Sequence, residues 1–166
     1  MQIRRFQEQD ARAVSDLVRD ALLVSCAKDY PPDVLTAFAE TQTPECMLNR
    51  GNTTHFYVAE EEERIIGCGA IGTSNDCPDV CGIYSLYVSP EYQAKGIGKR
   101  IMETLEADPY AQQASQIEIH ASITALEFYQ KLGYTFQPGG DVPDHEGLYK
   151  LEKQFSGGKP DGPSRL

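Results

Sequence analysis

The stretch Ile83–Leu105, IYSLYVSPEYQAKGIGKRIMETL, constrains this chain more than any other part of it. An apolar run ends at Val88-Ser89-Pro90, the glycine-rich segment Gln93-Ala94-Lys95-Gly96-Ile97-Gly98 follows, and an amphipathic helix opens directly after it. Glycines before a helix let backbone N–H groups come close to an anion. The first turn of the helix has no internal acceptors for those groups and carries the positive end of the dipole. Lys95, Lys99 and Arg100 add positive charge at the same place, so a phosphate-bearing ligand is expected there, although a plain strand-to-helix connection has the same local pattern. Two familiar phosphate loops are excluded. The segment lacks the Gly-Lys-Ser/Thr of nucleoside triphosphatases, and the third position after Gly98 is Ile101 rather than the glycine of a dinucleotide fingerprint.

With 166 residues and 40% hydrophobic content the chain can bury one core, so a single domain over 1–155 is expected. Residues 156–166, rich in Gly, Pro and Ser, read as a disordered tail. A net charge of -10 argues against nucleic acid and anionic membrane as partners and leaves a small-molecule substrate, with a slight tilt toward a cationic one. No apolar run reaches the ~20 residues that span a bilayer, and Met1 leads straight into the strand-like Ile3–Phe6, so a cytoplasmic location is expected. The five cysteines show no CxxC pairing and read as reduced thiols, with Cys77 and Cys81 placed to meet across Pro78-Asp79. His55, His120 and His145 are scattered, so no metal is expected.

Periodicity places a strand at Gln2–Phe6 and then a helix N-capped by Asp10, with Ala13, Val14, Leu17, Val18 and Ala21 on its apolar face. Two short helices follow, one carrying Val34, Leu35 and Phe38, the other entered at Thr43-Pro44 and stopped at Gly51. Thr54–Glu60 and Ile65–Ile71 read as a hairpin about Glu61–Arg64. A loop over Asn75–Asp79 leads to a strand at Gly82–Val88, a helix at Gly98–Glu106, a strand at Gln116–Ala121 and a helix at Thr124–Leu132 stopped by Gly133. Strands at Tyr134–Gln137 and Leu148–Lys153 complete an α/β chain with a mixed sheet and helices on both faces.

Leu86 to Gly98, LYVSPEYQAKGIG, resembles the acetyl-CoA signature of the GNAT superfamily of N-acetyltransferases, Gln/Arg-x-x-Gly-x-Gly/Ala. A second block, Ala121 to Tyr134 (ASITALEFYQKLGY), is similar to that family's Asn-x-x-Ala-x-x-Phe-Tyr-x-x-x-Gly-Phe/Tyr. The Asp29-Tyr30-Pro31 segment is loosely similar to a subgroup of small bacterial GNAT proteins. The resemblance implies a single-domain GNAT acyltransferase fold with a mostly antiparallel mixed sheet and helices on both faces. It also implies acetyl-CoA as co-substrate, a primary amine as acceptor, direct attack in a ternary complex and, as the form common in the superfamily, a homodimer.

Residue by residue, the resemblance implies that main-chain groups of Leu86, Tyr87 and Val88 pair with the pantetheine arm. The amides of Gln93, Ala94, Lys95, Gly96, Ile97, Gly98 and Lys99 would hold the pyrophosphate, and Ser122 and Ala125 would also touch the cofactor. Tyr129 matches the tyrosine that protonates the leaving thiolate. Two departures matter: Ser122 stands where the family often has Asn, and Gly82 where some members carry a glutamate base. His120 is the first choice for that base because an unperturbed imidazole titrates near neutrality, with Glu118, Tyr84 or a water chain as alternatives. Tyr30 and its neighbour Asp29, with Tyr84 and Glu118, are candidates for the acceptor pocket. Against the transferase stands a second reading, an acyl-CoA-binding sensor that has lost catalysis, supported by the missing glutamate.

Overall fold

The computed structural model describes residues 1–74 and 77–155. The expected disordered tail at 156–166 and the connection at 75–76 lie outside the described residues. The elements are β1 (Gln2–Arg5), α1 (Ala11–Ser25), α2 (Pro32–Thr41), α3 (Pro44–Thr53), β2 (His55–Glu61), β3 (Arg64–Ser74) and β4 (Cys77–Val88), then α4 (Ile97–Glu106), α5 (Pro109–Gln113), β5 (Gln116–Ser122), α6 (Ile123–Lys131), β6 (Thr135–Phe136) and β7 (Leu148–Gln154). The strands form one seven-stranded sheet in the order β1-β2-β3-β4-β5-β7-β6. Neighbours are antiparallel except β4 and β5, which are parallel. The mixed, mostly antiparallel α/β sheet expected from the sequence is therefore what forms. No helix among the described residues is long and apolar enough to cross a membrane.

Two cores sit on opposite faces of the sheet. Val14, Leu17, Val18 and Leu22 of α1, with Leu35 and Met47 from α2 and α3, bury Phe56, Val58, Cys68 and Ala70. On the other face Ile97, Ile101, Met102 and Leu105 of α4 and Tyr129 of α6 cover Ile66, Ile83, Ile117, Ile119 and Leu151. Helix α4 lies close against β3 because that strand offers glycines. A Cβ on Gly69 would stand 2.8 Å from Ile101 and 3.1 Å from both Leu105 and Leu86. Gly69→Ala should therefore overpack this contact and lower stability by about 1–3 kcal/mol, read as a lower midpoint in thermal unfolding.

What positions the site is a split in the sheet. The parallel ladder runs from Val80↔Gln116 to Ile83↔Ile119 and ends there. Beyond it β4 stays with β3 as far as Gly67↔Val88, while β5 stays with β7 as far as Ser122↔Leu148. Each strand keeps its outer neighbour, so the two part from one another. At the split β4 also carries a bulge, its register moving from Ala70↔Tyr84 to Cys68↔Tyr87 with Ser85 in the left-handed region at φ 51°. The Cys68 thiol donates to the Ser85 carbonyl at 3.2 Å from within the core, where burial pushes its pKa up to about 12.

Several local expectations are corrected. Asp10 is the N-cap residue of α1, as expected, but its side chain makes no capping bond to the helix. Its carboxylate accepts from the Gln7 N–H at 2.8 Å and pairs with Arg4 at 2.8 Å, which closes a single 3-10 turn ahead of the helix. Ala13 is exposed, and Ala11 and Leu22 take places on the buried face instead. Gly51 does not stop α3, which runs on to Thr53; a Cβ there would meet the Phe6 ring at 2.7 Å, so the glycine makes room for packing. The 61–64 turn places two glutamates, Glu62 (φ 49°) and Glu63 (φ 61°), in the left-handed region, a two-residue hairpin turn without glycine. Pro78-Asp79 is taken into β4 as an irregular segment, and Cys77 and Cys81 are both free thiols. Helix α5 is an element the periodicity does not predict: Asp108 caps it through Tyr110 N at 2.9 Å, with Pro109 in its first turn.

Candidate active site

The glycine-rich segment lies between the end of β4 and α4. Gln93 anchors it, its side-chain amide donating to Ser25 Oγ at 2.6 Å and to the Val88 carbonyl at 3.2 Å. Ala94 (φ 61°) and Gly96 (φ 79°) both turn through the left-handed region. The first helical bond of α4 is Arg100 N–H to Gly96 C=O at 3.1 Å, and no side chain caps the helix. The amides of Ile97, Gly98 and Lys99 thus precede any intrahelical acceptor, a ready anion cradle. Lys95 places its ammonium 5.0 Å from the centre of the Tyr92 ring at the edge of this loop.

The second motif block forms the end of β5 and α6. Ser122 is the N-cap of α6, its hydroxyl accepting from Ala125 N at 3.3 Å, so the helix starts one residue earlier than the sequence indicated. The two blocks meet at Gly98, where a Cβ would stand 3.2 Å from the Phe128 ring. Next to Phe128, Tyr129 is buried at 6% exposure, with its ring edge-on to Phe128 at 5.2 Å and to Tyr134 at 6.0 Å. Burial alone raises the Tyr129 phenol above its ordinary range. Its hydroxyl makes no hydrogen bond among the described residues, yet no fully enclosed side-chain oxygen or nitrogen there lacks a partner. The hydroxyl is therefore not fully enclosed. Burial likewise raises the Tyr87 phenol, and Cys68 and Tyr129 raise it further.

The remaining candidates divide. His120 is exposed on β5 and is the first residue past the last β4–β5 pair. Glu118 is the register partner of Gly82 and accepts from Gln116 at 3.4 Å. Tyr84 folds back along β4 so that a Cβ at Gly82 would collide with its hydroxyl, and the Arg50 guanidinium lies 5.0 Å from its ring centre. The position where some relatives of the motif carry a glutamate is thus taken up by the Tyr84 phenol. Because residues two apart on a strand share a face, this substitution was readable from the spacing. Tyr30 has its hydroxyl engaged on both sides, donating to Gly147 C=O at 2.9 Å and accepting from Ile123 N at 3.0 Å.

Two further polar links join distant parts of the chain. Asp29 accepts from the Thr124 hydroxyl at 2.6 Å, tying the α1–α2 loop to α6. The enclosed carboxylate of Asp108 joins His55 at 2.8 Å and Tyr57 at 2.6 Å. These partners lie 95, 53 and 51 residues apart in the chain, and no local pattern announces them.

A family model described as an acetyltransferase (GNAT) domain matches residues 26–148, most of the chain and both motif blocks. Over 81 residues the chain is 32% identical to the GCN5-related N-acetyltransferase 2, chloroplastic, of Arabidopsis thaliana, covering 49% of this chain and 31% of that protein. It spans about a third of the length of the curated relatives it matches. Among solved structures, the PaiA N-acetyltransferase of Thermoplasma acidophilum in complex with coenzyme A superposes with a TM-score of 0.79 at 19% identity, over 93% of this chain and 98% of that one. N-acetylglutamate synthase of Neisseria gonorrhoeae, complexed with coenzyme A and N-acetyl-glutamate, superposes with a TM-score of 0.69 at 17% identity, over 93% of this chain and 35% of that one. At such identities the two structures speak for the fold. With the family model lying over a sheet that splits between β4 and β5, and with the two motif blocks touching at Gly98 and Phe128, the chain belongs to the GNAT acetyltransferase family.

Proposed function

We propose that this protein transfers the acetyl group of acetyl-CoA to a primary amine of a small molecule by direct attack in a ternary complex. The observation that carries this reading is the Tyr129 hydroxyl: it sits on a buried ring, has no hydrogen bond among the described residues and is not fully enclosed. An acid that is held in place and left without a partner is suited to a group that arrives with the substrate. The uncapped first turn of α4 and the left-handed Ala94 and Gly96 fit the pyrophosphate of coenzyme A.

When bound, acetyl-CoA supplies an activated thioester carbonyl to a neutral amine. The chain's own contributions follow from placement. Main-chain groups of Leu86, Tyr87 and Val88, past the end of the parallel ladder, hold the pantetheine arm, and the Val88 N–H is the donor for developing negative charge on oxygen. Tyr129 gives its proton to the departing sulfur. His120 takes the amine proton, directly or through water, with Glu118 and Tyr84 beside Gly82 as the other candidates. Amides 93–99, with Ser122 and Ala125, complete the cofactor side. The net charge of -10 favours a cationic amine as acceptor.

Thiol release from acetyl-CoA over a panel of amines, amino acids and polyamines tests the reading. Amine-dependent release is the expected result. Acetyl-CoA binding without release on any amine would instead make the protein an acyl-CoA sensor.

A further inference from the structure

Helix α6 has nine residues, too few to hold itself in place by helix formation alone, and it carries Tyr129. Tyr129 lies six positions after Ile123, about 9 Å along the axis. Since no described residue hydrogen-bonds the Tyr129 hydroxyl, its position follows from where the helix sits. That position is fixed at the first turn by residues from distant parts of the chain.

The first amide, Ile123 N–H, donates to the Tyr30 hydroxyl at 3.0 Å, and that hydroxyl in turn donates a hydrogen bond to the Gly147 carbonyl at 2.9 Å. The Tyr30 ring packs on Gly147, where a Cβ would come within 3.1 Å. Gly147 belongs to a turn that is itself tied: Asp144 accepts from Glu146 N at 2.9 Å and from Leu148 N at 3.0 Å. On the other side, Asp29 N and Tyr30 N both donate to the Cys26 carbonyl, and Asp29 receives the Thr124 hydroxyl at 2.6 Å. One phenol oxygen therefore joins the α1–α2 loop, the start of α6 and the turn before β7.

We propose that Tyr30 is a positioning residue: its hydroxyl pins the first turn of α6 and so sets where the Tyr129 hydroxyl stands relative to the split between β4 and β5. The inference rests on the proposed acid role of Tyr129 for its kinetic consequence, and on geometry alone for its structural one. Both can be read in Tyr30→Phe, which keeps the ring and removes only the oxygen.

In the full chain carrying ring-carbon-labelled tyrosine, with the Tyr129 resonance assigned by its disappearance in Tyr129→Phe, Tyr30→Phe should shift or broaden that resonance. Turnover should fall on the order of ten-fold with acetyl-CoA affinity retained, the pattern of a displaced acid rather than a lost binding contact. The double variant Tyr30→Phe/Tyr129→Phe should turn over no more slowly than Tyr129→Phe alone, because the latch has nothing left to position. An unmoved Tyr129 resonance, or losses that multiply in the double variant, would overturn the proposal. If the wild type releases no thiol on any amine, the functional reading fails and the resonance alone decides this one. Should Tyr30→Phe not fold, Thr124→Val, which cuts the Asp29 tie to the same turn, takes its place with the same expected direction.

Discussion

Tyr129→Phe is expected to lower turnover by roughly 100-fold to 10,000-fold, the range that positioned proton transfer contributes, while acetyl-CoA binds almost as before. The change removes one oxygen from a ring that packs between Phe128 and Tyr134, and no hydrogen bond among the described residues is lost with it. The fold should therefore tolerate it. Burial disfavours the phenolate, so the group stays protonated through neutral and mildly alkaline pH and enters each turnover with its proton in place. In consequence Tyr129 contributes no falling limb to the rate below about pH 10, and any limb near neutrality belongs to the base. Steady-state rates beside calorimetric affinities check this. Equal loss of turnover and affinity, or loss of neither, would remove Tyr129 from the role of acid.

The second large effect is on stability. The Asp108 side chain is fully enclosed (0% exposed) and accepts from His55 Nδ1 at 2.8 Å, from the Tyr57 hydroxyl at 2.6 Å and from Tyr110 N at 2.9 Å. Burial raises the Tyr57 phenol, and the hydrogen bond to Asp108 raises it further, so this donor keeps its proton. Asp108→Ala leaves Tyr57, His55 and the α5 amide without their shared acceptor and should cost about 3 kcal/mol. For a chain of this size that is a fall of roughly 6–12 °C in the thermal midpoint. Asp108→Asn, which keeps an acceptor oxygen, should lose less. Because the cluster stands past the C-terminal end of α4, far from the cradle at its start, acetyl-CoA affinity at low temperature should hold. An unchanged midpoint in Asp108→Ala would show that the cluster is not a stabilising centre.

The parts of the site that were legible in the sequence share one property: their chemistry is encoded in short spacings. Gly96 and Gly98 before an amphipathic helix describe a cradle within six residues, and the Ala125, Phe128, Tyr129, Gly133 spacing describes one face of one helix and its stop. Their mutual contact at Gly98 and Phe128 needed only that the two blocks occur in order. Alternation likewise placed the strands to within a residue or two at most ends.

What stayed hidden was long-range or depended on a competing partner. Asp10 has the right residue type and place for an N-cap, but Arg4 and Gln7 N offered its carboxylate a stronger set of bonds. Gly51 looked like a helix stop because the Phe6 ring that packs against it, and calls for a glycine there, comes from a distant part of the chain. Tyr30 was legible as a residue near the acceptor side, but not as a bridge, since its partners lie 93 and 117 residues on. Tyr84 over Gly82 was within reach of sequence reasoning, two residues apart on one face, and its phenol occupies the space a side chain at Gly82 would take.

The proposed reaction makes one requirement of the α4 cradle and Tyr129, that acetyl-CoA seats in the split between β4 and β5. Isothermal titration of the wild-type chain with acetyl-CoA measures it directly. The arrangement of the α4 cradle, the parted strands and the partnerless Tyr129 hydroxyl predicts saturable binding of one acetyl-CoA per chain. A titration without binding heat, together with no change in the thermal midpoint at saturating acetyl-CoA, would contradict it.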